Sequence, residues 1–115
     1  MGKRERIPKM NVSITKEYEQ TPNGVNITKA QLVSANILSV EVQENGIKGG
    51  DAGHGGFVKI KLTDDASTSM EARVNGDALR EAEEVEIVLR GSTERETLRE
   101  ALKVVVDALD TLVAQ

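Results

Sequence analysis

The sequence predicts an α+β fold, an antiparallel β-meander of five or six strands followed by one long C-terminal amphipathic helix. Its basis is threefold. Apolar residues alternate with polar ones in separate stretches, Asn-Gly dipeptides punctuate them, and the C-terminal segment switches to a helical period. The alternating sets are Val12 and Ile14; Val25 and Ile27; Leu38, Val40 and Val42; Val58, Ile60 and Leu62; Met70, Ala72 and Val74; and Val85, Ile87 and Leu89. A period of two is that of a half-buried strand. The intervening Ser13, Thr15, Ser39, Glu41, Lys59, Lys61, Glu71, Arg73 and Glu86 are polar, so each strand turns one face to a core and the other to water or a partner.

Asn23-Gly24, Asn45-Gly46 and Asn75-Gly76 supply residues that tolerate the positive φ angles of tight hairpin turns. The stretch from Asp77 to Glu83 is open to two readings, strand or a short helical turn capped by Asp77 through Ala78, Leu79 and Ala82. Gly91 closes the last strand, and Thr93 with Glu96 has the spacing of a capping box that starts a helix. Leu98, Leu102, Val105, Leu109 and Leu112 then recur every three or four residues. Ala101, Val104, Val106, Ala108 and Val113 widen that stripe beyond the roughly 100° that seats a helix on one neighbour.

With 115 residues the chain is one domain in size. We divide it into a flexible basic leader, residues 1–9, and a single α+β domain, residues 10–115. Lys3, Arg4, Arg6 and Lys9 against Glu5 give the leader a net charge of +3, leaving −7 on the rest of a chain whose total is −4. An acidic body with two aromatic residues, Tyr18 and Phe57, lacks the basic surface and stacking platform of general nucleic-acid binders, so no sequence-specific nucleic acid is expected. The absence of cysteine excludes disulfide scaffolds and thiolate zinc sites. A mean hydropathy of −0.34 and no long apolar run argue against a membrane span. No export signal is visible, and the expected location is cytoplasmic.

Five or six strands span roughly 24 to 29 Å, whereas one helix is about 10 to 12 Å wide. One helix cannot cover such a sheet. The wide stripe therefore points to a homo-oligomer formed through the C-terminal helix, the other solution being a small barrel plugged by that helix.

Gly49-Gly50-Asp51-Ala52-Gly53-His54-Gly55-Gly56 holds five of the ten glycines and the only histidine. Ordering it is entropically costly, which calls for special φ values, a close backbone approach or a ligand held by exposed N–H groups; the other reading is a plain connector between strands. It lacks the Lys and Ser/Thr of a Walker loop and the G-x-G-x-x-G of dinucleotide folds. His54 with Asp51 could shuttle a proton, but no nucleophile completes a catalytic set and too few ligands are present for a metal. The expectation is a non-enzyme without cofactor or metal. Phe57, Lys59 and Lys61 leave the loop on one side of their strand, with Arg73 expected on the next strand. Gly50, Asp51, His54, Gly55, Gly56, Phe57, Lys59 and Arg73 are thus the candidate site for a small anionic, nucleotide-like ligand. The alternative is an assembly subunit that binds a protein through its helix face and takes no small ligand.

The GGDAGHGG loop followed by FVKIKL resembles small uncharacterised proteins encoded by phages and prophages. In size, acidity and expected sheet-plus-helix oligomer the chain is also similar to small phage proteins that sequester cyclic-nucleotide immune signals. That resemblance implies a ligand buried at subunit boundaries and held without cleavage.

Overall fold

The computed structural model describes residues 3–6, 11–47 and 55–114. The α+β expectation holds: a five-stranded antiparallel sheet is followed by one C-terminal helix. Its strands are β2 (Ser13–Gln20), β3 (Asn26–Val33), β4 (Ile37–Glu44), β5 (Phe57–Ala66) and β8 (Glu84–Arg90), in the order β2-β3-β4-β5-β8. The two outer strands do not pair with each other, so the sheet stays open rather than closing into a barrel. Lys3–Arg6 form a short strand, β1, which pairs antiparallel with β9 (Thr111–Ala114).

Between β5 and β8 the chain makes a separate hairpin of β6 (Glu71–Val74) and β7 (Asp77–Glu81). The segment after Asp77 is therefore strand, not a helical turn. Asn75 and Gly76 decide it: with φ of 53° and 80° they form a two-residue turn that sets Val74 opposite Asp77. The turn between β2 and β3 is longer, running from Thr21 to Val25: the Thr21 N–H donates to the Val25 carbonyl at 2.9 Å and the Gly24 N–H to the Thr21 carbonyl at 3.0 Å.

The register sorts the sheet into two faces, because residues directly opposite across a ladder point the same way. Tyr18, Thr28, Val42, Ile60 and Ile87 form one row, and Lys16, Ala30, Val40, Leu62 and Val85 another row on the same, largely apolar face. Between them, on the opposite face, runs Glu17, Lys29, Glu41, Lys61 and Glu86, a row that alternates in sign across all five strands. Favourable cross-strand pairs of this kind hold a polar face in register. Lys29 and Lys61 lie 4.0 and 3.9 Å from Glu41.

Helix α1 (Ser92–Leu109) has the five-turn length that its periodicity predicts, but differs at both ends. Its N-cap is Gly91, with no side-chain cap, so Thr93 and Glu96 do not form the expected box. Gly91 is buried, its φ of 111° is open to glycine, and its N–H donates to the buried Gly56 carbonyl at 2.8 Å. This backbone-to-backbone approach fixes where the helix leaves the sheet. At the other end Leu112 and Val113, which continue the helical spacing, belong to β9.

Little of this architecture is covered. Among the described residues the only buried large apolar side chain is Val58, at 6% exposure, close to the helix start. Along α1 only Ser92, Arg95 and Leu98 are half-buried, and every residue from Arg99 to Asp110 is exposed. No helix among the described residues is long and apolar enough to cross a membrane.

Candidate functional site

At one end of the sheet lie the β2–β3 turn, the β4–β5 connection that carries the glycine-rich loop, and the start of α1. Two side chains, Glu44 and Asn45, organise this end. Asn45 donates its amide to the Gly55 carbonyl at 2.8 Å and accepts the Phe57 N–H at 2.9 Å, so one side chain closes the connection across its base. Glu44 accepts from the Asn26 amide at 2.9 Å and from the Gly46 N–H at 2.8 Å, and Arg95 of α1 lies 3.6 Å away. Burial pushes the Glu44 pKa up, but the Asn26 amide, the Gly46 N–H and the Arg95 guanidinium outweigh it and leave the carboxyl below its usual range. Sheet, loop root and helix start thereby meet at one carboxylate.

Of the expected ligand-binding residues, Gly50, Asp51 and His54 lie outside the described residues. Gly55, Gly56 and Phe57 form the root of the loop where β5 begins. Lys59 follows on the same face as Phe57, and its ammonium lies 3.3 Å from Glu86. Lys61, on that face too, lies 3.8 Å from Glu84 as well as near Glu41. Both lysines therefore work in the charged face, with Glu86, Glu84 and Glu41 as partners.

Arg73 is not beside them. It sits on β6, opposite Ala78, in a hairpin that pairs with neither β5 nor β4, and its guanidinium lies 2.7 Å from Glu71. The reason is topological. The strand next to β5 is β8, not the strand that follows β5 in sequence.

The residue that does stand beside Phe57 is Arg90, its direct partner across the β5–β8 ladder. Arg90 is exposed and has no ion pair or side-chain hydrogen bond among the described residues. The sequence signal that could have found it is the length of the β8 pattern, which carries Arg90 one position past Leu89 to the loop end of the sheet. Comparison with known proteins adds nothing to this geometry. No family model, curated protein or solved structure matches the chain.

A second polar depression, of about 380 Å³, lies on the charged face between Thr15, Gln31, Ser39, Thr63 and Asp65. Asp65 lies on this face with Lys61 and Thr63, beside a register shift between Ile37 and Leu38, and Ser39 and Gln31 donate to it and hold its pKa below the ordinary carboxylate value. Glu17, Glu41 and Asp65 outnumber Lys29 and Lys61 around it, which disfavours an anion there.

Proposed function

We propose that this protein is a non-catalytic binding protein that captures a small anionic, nucleotide-like ligand at the root of the glycine-rich loop. The observation that carries this reading is the Phe57–Arg90 pair. Phe57 and Arg90 are direct partners across the β5–β8 ladder where the loop meets the sheet, and among the described residues Arg90 makes no ion pair or side-chain hydrogen bond. A ring face can stack on a base and a guanidinium can fork onto a phosphate, so the two together suit a planar anion. Gly55 and Gly56 offer backbone at the same place, and Lys59 adds a cation two residues further along the strand. The likeness in size, acidity and expected sheet-plus-helix oligomer to phage proteins that sequester cyclic-nucleotide signals supports a nucleotide signal as the ligand class, held intact. In this role the protein works in the cytoplasm on a soluble ligand and breaks no bond.

Native mass spectrometry and thermal shift against linear and cyclic nucleotides test it. The expected result is retention of an intact nucleotide and a raised Tm. Stabilisation follows mass action, about 2.7 kcal/mol at a hundredfold excess over Kd. Phe57→Ala and Arg90→Ala each abolish the shift, whereas Arg73→Ala leaves it unchanged. A panel in which no nucleotide is retained or shifts the Tm overturns the reading.

A further inference from the structure

The chain exposes more surface than a folded chain of its size. Its accessible area is 8782 Å², against about 6,100 Å² for a compact monomer of this mass. Its radius of gyration is 16.6 Å, against about 13 Å. The excess, roughly 2,600 Å² per chain, exceeds the ~800 Å² per partner of a standard interface and reaches the obligate homodimer class.

Two apolar surfaces are open among the described residues. The first is the face of the sheet that carries Ile14, Val40, Val42, Ile60, Leu62, Val85 and Ile87, on which Tyr18 is 73%, Ile87 54% and Ile14 53% exposed. The second is α1, on which Leu102, Val104, Val105, Val106 and Leu109 are all exposed. These surfaces have matching dimensions. An 18-residue helix is about 27 Å long, and five strands spaced about 4.8 Å apart are roughly 24 Å across. Each chain thus has one apolar sheet face lacking a helix and one apolar helix lacking a sheet. A two-fold axis satisfies both at once, since an isologous contact sets each chain's helix on the other's sheet.

We propose that the apolar face of the five-stranded sheet is the seat of a second copy of this chain, whose helix α1 lies across it while the first chain's helix lies across the partner's sheet. The polar face, with its alternating row from Glu17 to Glu86, stays outside and in water. The buried glycine pair Gly56 and Gly91 sets the angle at which the helix leaves its own sheet, and so where it reaches the other.

Light scattering coupled to size exclusion on the full chain reads the mass directly. The expected mass is about 24.8 kDa, twice the 12.4 kDa of one chain, and a 12.4 kDa species at micromolar concentration overturns the proposal. Ile87→Lys on the sheet and Val105→Asp on the helix each return the protein to monomer. Val88→Lys, one residue along but on the opposite face, leaves the assembly intact. An assembly that survives Ile87→Lys or Val105→Asp overturns the proposal. Because the chain has no cysteine, Ile87→Cys in one tagged chain and Val105→Cys in another report the contact even if a charged variant unfolds. A disulfide between the two tags supports the exchange of helices, and an assembly without one refutes it.

Discussion

Asn45 accepts the Phe57 backbone N–H on its side-chain oxygen at 2.9 Å, in line with the ladder between β4 and β5 but made by a side chain. Its amide donates to the Gly55 carbonyl on the far side of the same connection. Each bond contributes about 0.5–1.5 kcal/mol net, so Asn45→Ala should lower unfolding free energy by about 1–3 kcal/mol. Amide exchange at Phe57 should quicken with it. Asn45→Asp keeps the acceptor for Phe57 and loses only the donor to Gly55, and should fall between the two. If Phe57 exchange is unchanged in Asn45→Ala, the backbone ladder alone holds the loop root.

Gly76 permits a cleaner measurement, because a Cβ there meets nothing within 4 Å. Any cost of Gly76→Ala is then conformational, arising from a φ of 80°, and should be about 1 kcal/mol in urea unfolding. Asn visits this region of backbone space more readily, so Gly76→Asn should cost less. Equal losses from both substitutions would place the effect in a contact instead.

The Glu44 carboxyl sits below its ordinary value of 4.5, and the sign of the pH effect follows. A carboxyl whose pKa is lower folded than unfolded stabilises the fold fully above the ordinary value, and that contribution disappears as pH falls through the depressed one. The Tm of the native chain should therefore fall more steeply below about pH 4.5 than that of Glu44→Gln, and the two curves should converge in acid. Asp65, also depressed, is present in both chains and drops out of the comparison. Parallel curves from pH 6 to pH 3 would show that Arg95 and Asn26 do not depend on the Glu44 charge.

Local pattern made part of this structure legible and hid the rest for identifiable reasons. β4, β5 and β8 each alternate three apolar residues with polar ones, and each is a strand of the central sheet. β3 is visible only at Ile27, since Thr28, Lys29, Ala30 and Gln31 carry little apolar signal although they pair on both sides. Leu112 and Val113 keep the helical spacing but pair with Glu5 and Arg4, a contact across the whole chain that no local period reports. Arg73 stands away from β5 for the same reason. Sequence order offers Arg73 as the neighbour of β5, whereas the insertion of the β6–β7 hairpin gives that place to β8 and brings Arg90 to Phe57.

Glu41 is the centre of the charged row and should respond most to substitution there. It lies between Lys29 and Lys61, and the Gln43 amide donates at 2.6 Å to the Oε2 that faces Lys61. Exposed pairs are worth about 0–1 kcal/mol, but Glu41 is only 17% exposed and serves two lysines, so screening by water is weaker than for Glu17 at the sheet edge. Glu41→Gln should cost about 1 kcal/mol, and Glu17→Gln less than about 0.5 kcal/mol. Glu41→Lys should cost more than either, because it places three ammonium groups in neighbouring strands where like charges oppose each other directly. Raising salt towards 1 M shortens the Debye length to about 3 Å and should recover part of the Glu41→Lys loss while leaving Glu41→Gln nearly unchanged. If both variants respond to salt alike, the loss at Glu41 is one of hydrogen bonding to Gln43 and packing, and the alternation of sign across the five strands contributes little to the register.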